Sequence, residues 1–162
     1  MPVEFRPVAD YDAKAVMDIF NHYIENGFAA YPERPMPIDA FPMFQQLAAG
    51  FPFYVMETAN KVVGFGLMHP YNRMDTFKRS AEVSYFISPE HTGKGLGTEL
   101  LKMLVADAKA KGIDTLLASI SSYNEGSIRF HARHGFAECG RFRRVGRKRG
   151  RDFDVIWMQR FL

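Results

Sequence analysis

Apolar residues recur along this chain with two different spacings, and each spacing predicts a different kind of element. Apolar positions at i, i+3, i+4 and i+7 predict amphipathic helices over 13–24 and 96–108. Shorter helices are expected over 38–49 and 124–134. Alternating or short apolar runs predict strands at 3–6, 53–57, 62–68, 81–87, 115–119, 136–145 and 153–161.

Turn-forming residues separate these elements. Ala59-Asn60-Lys61 is expected to join two strands as a hairpin, and four prolines predict an irregular loop within 28–42. Asp10 or Asp12 can cap the first helix. No repeat or linker interrupts the chain, so residues 1–162 are predicted to form a single domain. The order of elements indicates an α/β (α+β) fold, a mixed sheet with flanking helices.

Composition restricts the class of protein. The 162 residues are 47% hydrophobic and 24% charged, as in a globular domain rather than a disordered chain. No apolar run approaches the ~20 residues that a membrane helix needs, and the N-terminal residues do not resemble a secretory signal. Cys139 is the only cysteine, so no intrachain disulfide can form. We therefore expect a cytoplasmic protein with no membrane partner.

Positive charge is concentrated in one segment, the basic ribbon Arg141–Arg151. It holds seven basic and no acidic residues, so the overall charge of +3 becomes −4 for the rest of the chain. Three interpretations stay open: an RNA-binding surface, a solvated hairpin near a dimer interface, or electrostatic attraction for a polyanionic ligand. RNA is the least favoured, because Phe142 is the only aromatic residue in the segment.

A glycine-rich loop, His91–Thr98, lies between the strand 81–87 and the helix 96–108. A helix start leaves N–H groups unpaired, and glycines let the backbone approach a ligand, so this junction suits a phosphate. The loop lacks the Walker pattern G-x-x-x-x-G-K-S/T and the dinucleotide pattern G-x-G-x-x-G. Asp114 follows at a distance typical of a ribose contact, but it precedes the next strand. A tight turn without a ligand is the alternative.

Two motifs resemble the GNAT family of N-acetyltransferases. The family carries a Q/R-x-x-G-x-G/A loop at this junction, where this chain has His91-Thr92-Gly93-Lys94-Gly95-Leu96-Gly97. Its second signature, an Asn that begins a helix and a Tyr seven residues later, resembles Asn124–Phe136 with His131 in place of the Tyr. His131, together with Ala81-Glu82 and the segment 145–150, resembles the phosphinothricin acetyltransferase branch.

This resemblance implies a mostly antiparallel sheet of six to seven strands with a splayed central strand pair. It also implies a homodimer, acetyl-CoA as co-substrate, no metal and a small amine acceptor. The amine would belong to an amino acid or analogue such as phosphinothricin, methionine sulfone or methionine sulfoximine. The cofactor-binding residues that it implies are Tyr85, Phe86, Ile87, Gly93, Lys94, Gly95, Leu96, Gly97, Thr98 and Asn124.

Acetyl transfer needs a neutral amine and a proton for the departing thiolate. Glu82 is the candidate general base; the alternative is an ordinary glutamate on a sheet surface. His131 is the candidate that protonates the thiolate or binds the cofactor near the sulfur. The alternative for His131 is a histidine packed beside Phe130 and Phe136. Asn124 can both cap its helix and bind the pantetheine arm.

The acceptor site is expected before the Glu82 strand, where the branch places substrate contacts. The candidates are Arg73, Asp75, Thr76 and Phe77. Arg73 could bind a carboxylate as a fork, or could be a surface loop arginine. Asp152 stands where the branch has a tryptophan, which favours a different or broader range of amines. The alternative function is a module that binds acetyl-CoA or RNA without acetylating a small amine.

Overall fold

A computed structural model describes all residues from Met1 to Leu162. Four helices and seven strands form, close to the predicted bounds. The helices are α1 (Ala13–Glu25), α2 (Phe41–Leu47), α3 (Leu96–Ala110) and α4 (Glu125–Arg133). The strands are β1 (Glu4–Pro7), β2 (Phe53–Thr58), β3 (Lys61–Pro70), β4 (Ser80–Ile87), β5 (Thr115–Ser121), β6 (Ala137–Lys148) and β7 (Arg151–Phe161).

All seven strands form one sheet in the order β1-β2-β3-β4-β5-β7-β6. Only β4 and β5 are parallel, and every other neighbouring pair is antiparallel. The mixed, mostly antiparallel sheet is therefore confirmed. The β2–β3 hairpin turns at Ala59 and Asn60, whose φ angles are both positive, as a two-residue hairpin turn requires.

Helices cover both faces of the sheet. On one face, α3 packs Leu100, Leu101 and Leu104 into a cluster of 17 buried residues. On the other face, α1 and α2 contribute to a second cluster of 13 buried residues that includes Phe20 and Phe41. Burying apolar area on both faces is the main stabilising contribution in such a three-layer arrangement.

Strands β4 and β5 pair over only three residue pairs, the last of which joins Glu82 to Leu117. Beyond that point β4 continues to Ile87 beside β3, while β5 continues to Ser121 beside β7. The two strands therefore separate after Glu82 and leave a fork in the middle of the sheet. This confirms the splayed pair that the resemblance implied.

Capping was predicted correctly for one helix and wrongly for another. The Asn124 side chain accepts the Ser127 N–H at 3.3 Å and caps α4. Asp12 precedes α1, but its carboxylate accepts hydrogen bonds from Arg6 and from the Ala9 N–H instead of the first helical turn. The pairing with the Arg6 guanidinium holds the pKa of Asp12 below its usual value, although burial opposes this. No helix has the length and apolar character to cross a membrane.

Candidate active site

Two cavities meet at the fork between β4 and β5. The aromatic cavity, of about 240 Å³, lies on the α1–α2 side and is lined mainly by apolar side chains, among them Phe20, Phe44 and Phe65. The loop cavity lies beside the glycine loop and α4. Tyr85 and Phe86 line both cavities. A ligand in the loop cavity could therefore reach a second molecule in the aromatic cavity.

The glycine loop provides a cradle of backbone N–H groups. Gly93 and Gly95 have φ angles of 72° and 81°, a region that other residues rarely adopt. A Cβ atom at either position would meet nothing within 4 Å, so conformation rather than space requires these glycines. Gly95 precedes α3, and no side chain caps this helix. The first N–H groups of α3 therefore remain available to an anion such as a phosphate.

Nine of the ten residues predicted to bind cofactor line the loop cavity. They are Tyr85, Phe86, Ile87, Gly93, Gly95, Leu96, Gly97, Thr98 and Asn124. Lys94 is exposed and does not line it. Two residues that the sequence did not single out as cofactor ligands, Tyr23 and Arg133, also line this cavity. The sequence signal for Tyr23 is its position on the apolar face of α1. In the folded protein its hydroxyl donates to the Ile87 carbonyl.

Glu82 occupies the last paired position before the fork, and Val83 and Ser84, which follow it, line the aromatic cavity. The Glu82 side chain is largely buried and faces His69 on β3, with 3.8 Å between Oε2 and Nε2. Burial raises the pKa of Glu82, while the charge of His69 acts to lower it. His69 was not singled out from the sequence, because its position opposite Glu82 depends on the β3–β4 register.

His131 is buried, with 3% of its surface exposed, and both ring nitrogens have partners. Nδ1 donates to the Ser127 carbonyl at 2.7 Å, so in the neutral ring Nε2 accepts the Tyr85 hydroxyl. Burial lowers the pKa of His131 and raises that of Tyr85, which favours the uncharged form of both side chains. Tyr85 lines both cavities, whereas His131, its hydrogen-bond partner, lines only the aromatic cavity.

The segment predicted to bind substrate does not line either cavity. Arg73 is exposed and donates to the Gln46 and Leu47 carbonyls at the end of α2. It lines a separate surface groove that also contains His69. Asp75, Thr76 and Phe77 form an exposed 3-10 turn. Substrate binding by these four residues stays a prediction.

A short segment, 27–32, forms one wall of the aromatic cavity. Tyr31 lines the cavity and its hydroxyl lies 3.3 Å from the Ser119 hydroxyl on β5. Phe28 packs behind this wall against Phe153, with ring centroids 5.7 Å apart. Of these two aromatic residues, only Tyr31 lines the cavity.

Two residues of the basic ribbon hold that wall. Lys148 is 1% exposed, and its ammonium donates to the Gly27 and Ala30 carbonyls at 2.8 Å each. Arg149 donates to the Ile24 and Glu25 carbonyls at the end of α1, where a cation also interacts favourably with the helix dipole.

The rest of the ribbon also has partners within the chain. Arg141 and Arg143 lie beside Asp154, Arg144 and Arg147 lie beside Asp152, and Arg151 stacks over the Tyr123 ring. The solvated-hairpin interpretation therefore accounts for the charge pattern without an external partner. No group of three or more His, Cys, Asp or Glu side chains is placed to hold a metal ion.

Known proteins with similar sequences are acetyltransferases, which agrees with a site that can hold a phosphate-bearing donor. The model of the acetyltransferase (GNAT) family matches residues 16–136. An L-methionine sulfoximine/L-methionine sulfone acetyltransferase of Salmonella typhimurium is 33% identical, over 98% of this chain and 93% of the relative.

Two solved structures are similar over almost the whole chain. A phosphinothricin acetyltransferase from Sinorhizobium meliloti, in complex with acetyl-CoA, has a TM-score of 0.92 at 29% identity, covering 100% of this chain and 89% of that one. A ribosomal-protein-alanine N-acetyltransferase from Brucella melitensis has a TM-score of 0.91 at 31% identity, covering 98% and 99%. The fork, the glycine cradle and these similarities lead to one conclusion: this chain belongs to the GNAT family of N-acetyltransferases.

Proposed function

We propose that this acetyltransferase uses acetyl-CoA to acetylate the amino group of a small amino acid or amino-acid analogue. Candidate acceptors are phosphinothricin, methionine sulfone and methionine sulfoximine, because relatives of the same branch carry these names. One observation carries the proposal. The loop cavity and the aromatic cavity meet at Tyr85 and Phe86 on β4, the strand that carries Glu82. Glu82 itself lines neither cavity, but it lies two residues before Ser84 of the aromatic cavity, so a phosphate-bearing donor and a small amine can be held near one carboxylate.

The loop cavity fits the proposed donor. The free N–H groups at the start of α3 suit a pyrophosphate, and the unpaired edge of β4 from Val83 to Ile87 can bind an extended pantetheine arm as an added strand would. Acetyl-CoA supplies the acetyl group as a thioester. Arg133, which lines the same cavity, adds a positive charge for a further phosphate.

Glu82 is proposed as the general base. An amine attacks a thioester only when it is neutral, so it must lose a proton to a nearby group. Burial raises the pKa of Glu82, which makes its carboxylate a stronger base than an exposed glutamate. Position and basicity together support this role.

His131 and Tyr85 are proposed to act as a pair. With its Nδ1 held by Ser127, His131 orients the Tyr85 hydroxyl through Nε2. Both residues line the aromatic cavity, but only Tyr85 lines the loop cavity, so Tyr85 is the member of this pair that can reach a ligand held there. The Tyr85 hydroxyl has one hydrogen, which Nε2 of His131 accepts, so Tyr85 can stabilise the departing sulfur only when that hydrogen turns from His131 to the sulfur. We therefore assign His131 to positioning Tyr85 before this exchange, and Tyr85 to the hydrogen bond with the sulfur after it.

The acceptor is proposed to place its apolar part in the aromatic cavity, which no Lys or Arg lines. A carboxylate on the acceptor would then find its nearest partner outside that cavity. Arg73 lies in the adjoining groove, and Leu47 lines both the groove and the cavity. Arg73 is therefore retained as the proposed carboxylate ligand.

The test is a panel of amines with acetyl-CoA, read by release of free thiol. Methionine sulfone, methionine sulfoximine, phosphinothricin and the common amino acids are expected to include at least one substrate. Glu82→Gln is expected to lower kcat/KM about 100-fold or more, whereas Glu138→Gln, an exposed glutamate on β6, leaves it unchanged. Normal acetyl-CoA binding without turnover of any amine would favour a binding module instead.

The resemblance also implies a homodimer that acts in the cytoplasm. Analytical ultracentrifugation at micromolar concentration tests the dimer, and cell fractionation tests the location. A monomer in solution would contradict the proposed oligomeric state without affecting the proposed chemistry.

A further inference from the structure

We propose that His69 accepts the amine proton from Glu82 and passes it to solvent through the surface groove beside β3. This inference rests on the proposed function, because it takes Glu82 as the base. It assigns a role to a residue that the sequence did not single out. Three observations carry it: the register of β3 and β4, the tautomer of the His69 ring, and the groove that this ring reaches.

The register places the two side chains together. His69 on β3 is the direct partner of Glu82 on β4, and directly opposed residues project their side chains on the same face of the sheet. Nε2 of His69 lies 3.8 Å from Oε2 of Glu82. That separation is too short for a bridging water and slightly too long for a hydrogen bond, so a small rotation brings the two atoms into direct contact.

The tautomer follows from the other ring nitrogen. Nδ1 of His69 lies 3.0 Å from the Pro70 carbonyl oxygen. A carbonyl oxygen only accepts, so Nδ1 carries a hydrogen. In a neutral His69 ring, the nitrogen that faces Glu82 is therefore the unprotonated Nε2. Two acceptors facing each other repel, so the contact is favourable when one proton is present, on the carboxyl or on the ring.

The surface groove beside β3 connects the His69 ring to solvent, so a proton on this ring can pass to water. His69 lines this groove together with Gln46, Tyr71 and Arg73, whereas Glu82 does not. The ring therefore connects the Glu82 carboxylate, two residues before Ser84 of the aromatic cavity, with a solvent-facing surface. The other charged or titratable groups near the pair are Tyr31, whose pKa is raised partly by Glu82, and Arg73 and Tyr71 in the groove. The Arg73 cation favours release of the proton from an imidazolium ring.

The proton count closes over one turnover. The ammonium form of the amine first loses one proton to Glu82. The neutral nitrogen then bonds to the acetyl carbon as the carbon–sulfur bond breaks, and the nitrogen releases its second proton to water. Glu82 gives the proton that it accepted to Nε2 of His69, and the ring becomes an imidazolium. Loss of a proton from the ring to water in the groove restores the neutral ring and the carboxylate. The thiolate takes up its own proton separately.

The experiment compares His69→Ala and His69→Gln with the wild type and with His22→Ala, a control on α1 outside both cavities. The assay uses the best amine of the panel across pH 5.5 to 9. We expect His69→Ala to lower kcat about tenfold or more, with little change in the KM for acetyl-CoA. Added imidazole should restore the rate in proportion to its concentration, and substituted imidazoles should do so in order of basicity.

His69→Gln keeps the size of the side chain and guards against a folding defect in the alanine variant. Removing the His69 charge raises the pKa of Glu82 further, so the acid limb of the kcat/KM profile should move to higher pH. A purely structural histidine would produce neither this shift nor rescue by imidazole.

The outcomes are distinguishable. If Glu82→Gln is inactive while both His69 variants keep the wild-type kcat and pH profile, the relay is wrong and Glu82 remains the base. A loss of activity in His69→Ala that no imidazole restores, with an unshifted profile in His69→Gln, also overturns the relay. If Glu82→Gln itself turns over normally, the proposed base has failed, whatever the His69 variants do.

Discussion

The structure makes its sharpest stability prediction at Lys148. This buried ammonium donates to the carbonyls of Gly27 and Ala30 at 2.8 Å each and lies 5.9 Å from the centre of the Phe28 ring. Lys148→Met keeps a long apolar side chain but removes the charge and both hydrogen bonds. The perturbation therefore isolates the link between the β6–β7 hairpin and the wall of the aromatic cavity.

The magnitude follows from two opposing effects. A hydrogen bond that involves a charged group contributes about 1.5–3 kcal/mol, so two such bonds contribute roughly 3–6 kcal/mol. Against this, burial disfavours the ammonium and lowers the pKa of Lys148, and methionine escapes that cost. We expect the free energy of unfolding to fall by about 2–4 kcal/mol, which is the contribution of the two hydrogen bonds less the desolvation cost that methionine avoids.

The same change should weaken amine binding. Ala30 and Tyr31 both line the aromatic cavity, and Lys148 bonds the Ala30 carbonyl. Without Lys148 the segment 27–32 must be ordered when the amine binds. An ordering cost of about 1.4 kcal/mol corresponds to a tenfold change in affinity, so the KM for the amine should rise about tenfold. The KM for acetyl-CoA should change less, because Lys148 does not line the loop cavity and the segment that it holds contributes only Ala29 there.

Urea unfolding and steady-state kinetics measure the two effects. Arg147→Met is the matched control, since Arg147 is the exposed neighbour of Lys148 and lies 3.7 Å from Asp152; it should change stability by under about 0.5 kcal/mol. The reasoning is refuted if Lys148→Met unfolds within 0.5 kcal/mol of the wild type, a margin typical of surface substitutions, or if both variants lose stability equally.

Three further predictions concern the fork. Burial raises the pKa of Glu82, so the stability of the protein should fall as pH rises from the Glu82 pKa of the unfolded state to that of the folded state. Glu82→Gln should lack this fall and should be more stable than the wild type at pH 8, as measured by urea unfolding. Burial lowers the pKa of His131, so as pH drops below about 6.5 the histidine is protonated first in the unfolded state, which favours unfolding. Between pH 7 and pH 5 the melting temperature of His131→Gln should therefore fall less than that of the wild type. In Gly66→Ala the new Cβ would lie 2.3 Å from Leu100 and 3.1 Å from Tyr85, which should cost about 1–3 kcal/mol and lower kcat, whereas Gly140→Ala, with nothing within 4 Å, should change neither.

Local features of this protein were predictable from its sequence because they depend on neighbours in the chain. The helical spacing in α1 and α3, the Ala59-Asn60 hairpin and the Asn124 cap each need only a few adjacent residues. The glycine loop and the end of β4 are also adjacent in sequence. Most of the residues predicted to bind cofactor therefore line one cavity. The fork itself was expected only by resemblance to a family.

Contacts between distant segments needed the folded structure. The register that sets His69 opposite Glu82 depends on how the loop 71–79 turns, and no periodicity reports it. Arg73 stays a predicted substrate ligand, and only the fold shows that it donates to the carbonyls at the end of α2 and lines neither cavity.

The basic ribbon shows this division most clearly. Its seven positive charges are plain in the sequence, and they suggested an external polyanion as one interpretation. Only the tertiary structure reveals that Lys148 is buried against carbonyls 118 and 121 residues away and that its neighbours pair across the β6–β7 hairpin. The sequence shows which charged residues are present in the ribbon. Their partners lie on chain segments that meet only on folding, and burial there makes an unpaired charge costly.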